Sequence, residues 1–69
     1  MTPMQIEALR YVKNTGGNAT YNHFIDDHEP IGQRLWQDLK YDNVVSIDDQ
    51  GKIFVTKTGE KFLKFYENF

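Results

Sequence analysis

From Pro30 to Gly59 the chain carries five local signals in a fixed order. Ile31 to Asp42 spaces its apolar residues as an amphipathic helix does. Val44 to Ile47 is a short β-branched run, Asp48-Asp49-Gln50-Gly51 is a polar turn, and Lys52 to Val55 is a second strand. Thr56 then caps a further helix. A two-stranded hairpin has no stability of its own in water. The order therefore demands a hairpin packed against helices that precede and follow it, an α+β arrangement.

The remaining chain is too short to offer much else. Sixty-nine residues make one domain, 1–69, with a small core. With no cysteine, neither disulfides nor thiolate metal sites are expected. The first residues, Met1-Thr2-Pro3-Met4-Gln5, lack the basic and apolar regions of a secretory signal. No apolar run approaches the ~20 residues of a membrane span. A cytoplasmic protein without membrane association is the expectation.

Two helices are expected ahead of Pro30. Thr2 can cap the first, with Pro3 at its first position and Gln5 completing a capping box. Ile6, Ala8, Leu9 and Val12 recur at helical spacing, and Gly16-Gly17 ends the helix near Asn14. Thr20 can cap a second, short helix over Tyr21 to Asp27, with Phe24 and Ile25 as its apolar contacts. His28-Glu29-Pro30 then makes a turn, and Pro30 suits the start of the third helix.

The third helix has two distinct sides. At about 100° per residue, Ile31, Leu35 and Leu39 form one stripe, with Trp36 on its flank as a core residue that can close the gap to the hairpin. Gln33, Arg34, Gln37, Lys40 and Tyr41 fall on the other side, and Asp38 at the border. Asn43 suits the left-handed residue that ends a helix. In the last helix Phe62, Leu63 and Tyr66 are expected in the core. Phe65 and Phe69 are left over, as a surface through which two copies can pair.

Three patterns resemble the winged helix-turn-helix superfamily, especially small transcription regulators of bacteria, archaea and their phages. Gly16-Gly17-Asn18-Ala19-Thr20-Tyr21 looks like the glycine-rich link before the second helix. Trp36 to Val45 is similar to the family's third-helix end, with Asn43 where a glycine is usual. Val55-Thr56-Lys57-Thr58-Gly59 looks like the "leucine-threonine-x-x-glycine" entry to the last helix. The resemblance spans nearly the whole chain. It implies three helices, a two-stranded wing and a C-terminal helix, with the third helix in the DNA major groove.

On that reading Gln33, Arg34 and Gln37 would read bases, since Gln can bond adenine and Arg guanine in two places. Lys40 or Tyr41 would meet phosphate or sugar. Lys52 in the wing, with Tyr21 or Asn22 at the start of the second helix, would hold phosphates. Double-stranded DNA is then the partner and transcription regulation the role.

Charge points the other way. The net charge is −2, and residues 20–50 carry two basic against seven acidic side chains. Nucleic-acid binders normally show a basic face. Asp26, Asp27 and Glu29 read as a solvated turn, and Asp48 and Asp49 as a plain polar turn. If those acids are functional, the alternative is a winged-helix module that binds a basic protein partner. His23 and His28 are five apart and read as surface residues rather than a metal pair. No grouping resembles a nucleophile and its base or a phosphate loop, so neither catalysis nor a cofactor is expected.

Overall fold

The computed structural model describes residues 1–67. The order is α1 (Pro3–Asn14), α2 (Tyr21–Asp27), α3 (Gly32–Tyr41), β1 (Val45–Ile47), β2 (Ile53–Val55) and α4 (Lys57–Glu67). The described residues thus form a small α+β fold of four helices and one antiparallel hairpin. No described helix is long and apolar enough to cross a membrane.

Local chemistry explains most boundaries. Thr2 and Gln5 close a capping box on α1, each side chain bonding the other residue's backbone amide. Thr20 and His23 do the same for α2 through the His23 ring nitrogen. Asn43 takes φ +60° after α3, the left-handed turn its short polar side chain tolerates. Its carbonyl accepts from the Thr56 hydroxyl at 2.7 Å, while the Gly59 amide donates back to the Thr56 oxygen at 3.1 Å. One threonine therefore links the end of α3 to the cap of α4.

The hairpin pairs Val45 with Val55, Ser46 with Phe54 and Ile47 with Ile53. Directly opposed residues share a face, so Val45, Ile47, Ile53 and Val55 point inward, and Phe54 points outward and is exposed. Asp48 organises the turn: its Oδ1 accepts from the Gln50 and Lys52 amides, each at 2.9 Å. The outer edge of β2 is not bare. Ile53 donates to the Ala19 carbonyl at 2.9 Å, and Thr20 bridges Lys52, so the link between α1 and α2 runs alongside as a rudimentary third strand.

The core gathers Leu9 and Val12 of α1, Phe24 of α2, Leu35, Trp36 and Leu39 of α3, and Leu63 of α4. Val44, Val45 and Ile53 close it from the hairpin side. Trp36 packs edge-on against both Tyr21 and Phe24, so its main partner is α2.

Four expectations need correction. Ile31 does not join the core stripe; it precedes α3 with non-helical backbone and is 38% exposed. Gly32 takes the buried place because the Ile25 backbone passes so close that a β-carbon would lie 2.7 Å from its carbonyl oxygen. Pro30 stays in the turn rather than starting α3. Phe62 lies at the rim of α4, 36% exposed, stacked on Tyr66, because Leu63 already fills the space beneath the helix. His28 is half-buried, not a surface residue: its ring stacks on Phe24 with centroids 4.2 Å apart, and its Nδ1 donates to the Phe24 carbonyl at 2.7 Å.

Candidate nucleic-acid interface

The outer face of α3 is built by burial of the opposite face. Gly32, Leu35, Trp36 and Leu39 pack inward. Helical periodicity then turns Gln33, Arg34, Gln37, Lys40 and Tyr41 outward, and all five are exposed, Tyr41 to 91%. The border acid is drawn aside. Asp38 is half-buried, and its Oδ2 accepts from Gln5 Nε2 of α1 at 3.3 Å. Its carboxylate therefore faces α1.

Only some of the expected contact residues converge. Tyr21, Gln37, Lys40 and Tyr41 share an open groove between the start of α2, α3 and the hairpin, together with Trp36 and Ile47. Gln33 and Arg34 stand nearer the start of α3, outside the groove lining. Asn22 is exposed beside Tyr21. Lys52 is half-buried on the strand side that meets Thr20, and it does not line the groove.

Ile47 is the groove residue that sequence reasoning missed. Alternation in the hairpin places it on the inward face opposite Ile53, but β1 is the open edge of the hairpin, whereas β2 is flanked by Ala19 and Thr20. It is 41% exposed, whereas Ile53 is fully buried. An apolar residue at an inward position of β1, the strand with no neighbour beyond it among the described residues, was the available signal.

The acids have their own places. Asp26, Asp27 and Glu29 lie at the far end of α2 from Tyr21. At ~1.5 Å per residue that separation is roughly 9 Å along the helix, close to the screening length of about 8 Å at physiological salt. Asp27 is engaged as well: it accepts the Tyr11 hydroxyl. That hydrogen bond, then burial, then the carboxylate charge push the Tyr11 phenol up to about 12. Lys13, also on α1, pairs with Glu60 of α4 at 2.9 Å, which raises the Lys13 ammonium above its ordinary value.

Comparison with protein-family models, curated proteins and solved structures finds no match to this chain. What the α3 surface can do is decided by its own chemistry.

Proposed function

We propose that this chain is a winged helix-turn-helix DNA-binding protein, a small transcription regulator, with α3 in the major groove and the β1–β2 hairpin as its wing. The observation that carries this reading is the outer face of α3. It presents two amides, one guanidinium, one ammonium and a phenol, and the acid on its border is tied to α1. Gln33, Arg34 and Gln37 are the base readers, and Lys40, with Tyr21, Asn22 and Lys52, meets the phosphate backbone.

The negative charge is unevenly placed: Asp26 and Asp27 sit at the end of α2 away from Tyr21, and among the described residues no acid lines the groove beside α3. A binding titration with genomic DNA fragments over a salt series tests the reading. Affinity should fall linearly with the logarithm of salt, as counterion release requires. Absence of binding at low salt sinks it.

A second copy of the chain is the proposed protein partner. Phe65 is 58% exposed on α4, beside Phe62 and the half-buried Tyr66. These residues and Lys61 line a shallow apolar depression. Pairing across α4 would bury it and set two α3 helices for two half-sites. Phe69, expected in the same surface, lies outside the described residues.

A further inference from the structure

The groove beside α3 is chemically unlike the rest of that surface. Trp36, held edge-on by Tyr21 at 5.6 Å, and Ile47 form an apolar patch. Gln37, Lys40 and Tyr41 stand around it, and among the described residues no acid lines it. An apolar notch is a poor seat for a phosphate, which needs several donors. It does suit the one apolar group on the major-groove edge of DNA, the 5-methyl of thymine. The thymine's partner, adenine, offers N6–H and N7, which the Gln37 amide can meet in two places. Lys40 supplies charge for the neighbouring phosphate.

We propose that this groove receives a thymine methyl group, so that Ile47 and Tyr41, together with Gln37, make the protein select A·T pairs at that position. The proposal rests on the DNA-binding reading and adds a base preference and a hairpin residue to it. Ile47 then sets specificity by apolar contact, a role distinct from the phosphate contacts expected of a wing.

The test compares three labelled duplexes of equal length by fluorescence anisotropy at low salt: alternating dA–dT, alternating dA–dU and alternating dG–dC. Deoxyuridine differs from thymidine only by the missing methyl. Burial of one methyl predicts that dA–dT binds about fourfold more tightly than dA–dU, with dG–dC weakest. Ile47→Ala should bring the dT-to-dU ratio close to one. Tyr41→Ala should lower it too, and this 91% exposed position carries no part of the core. Equal affinity of the native protein for dA–dT and dA–dU, with binding retained, overturns the proposal and leaves the DNA reading standing. A dT-to-dU preference that survives both substitutions overturns the assignment to this groove. No binding to any duplex overturns both readings.

Discussion

Gly59, in the first turn of α4, lies directly against the carbonyl of Val44. A β-carbon at Gly59 would sit 2.2 Å from the Val44 oxygen and 2.5 Å from Cγ1 of Val55. That carbonyl is held in place, because it accepts the Thr56 amide at 3.0 Å. The junction of hairpin and last helix thus leaves no room for a side chain. Gly59→Ala should destabilise the fold by about 1–3 kcal/mol through overpacking. Urea unfolding followed by circular dichroism checks this, with a lower midpoint and an unchanged slope as the expected result.

Tyr11 and Asp27 make stability depend on pH in the alkaline range. The folded chain holds the Tyr11 proton up to about 12, against an ordinary 10.0. The stabilisation is therefore complete below the ordinary value and fades as pH rises through the higher one. Tyr11→Phe keeps the ring against Phe24 and His28 but removes the hydroxyl. It should cost ~1 kcal/mol near neutral pH, with the difference from the native chain shrinking as pH climbs toward the phenol's value. The difference between the phenolate absorbance curves of the two proteins should report Tyr11, rising above its ordinary value of 10.0.

For the DNA reading, Lys40 and Gln37 should separate cleanly. Lys40→Ala should weaken binding to every sequence and reduce the magnitude of the salt slope by about 0.9, the value for one phosphate contact. Gln37→Ala should cost about 1–3 kcal/mol on the preferred sequence and little on others. Arg34→Ala should behave as Gln37→Ala does, at a different base. Uniform small effects from all three would argue that α3 is not the reading helix.

The proposed pairing across α4 predicts a mass of two chains in solution. Phe65→Glu should return it to one chain without loss of helical signal, because Phe65 is on the exposed side of α4. Sedimentation equilibrium at several concentrations decides this. A native protein that stays monomeric throughout would remove self-association from the account.

Local signals in the sequence were enough to place α1, α2, α3, both strands and the start of α4 within a residue or so. The span of α2 could be read because Thr20 starts it, and the end of α3 because Asn43 accepts a left-handed backbone. The polar side of α3 was equally legible, since helical period alone sorts Gln33, Arg34, Gln37, Lys40 and Tyr41 from Leu35 and Leu39. Other features depended on which elements meet. Gly32 replaced Ile31 in the interior because the backbone of α2 crosses there. His28 turned inward because Phe24 offered a ring face and a carbonyl. The strip beside β2 formed because Ala19 and Thr20 reach it across the fold. Ile47 joined Tyr21 and Gln37 in one groove because the hairpin folds back over α3. Caps, turns and helical faces arise from residues within a few positions of one another, so the sequence by itself determined them. Contacts between distant segments depend on how packed elements are oriented, and only the tertiary structure decided those.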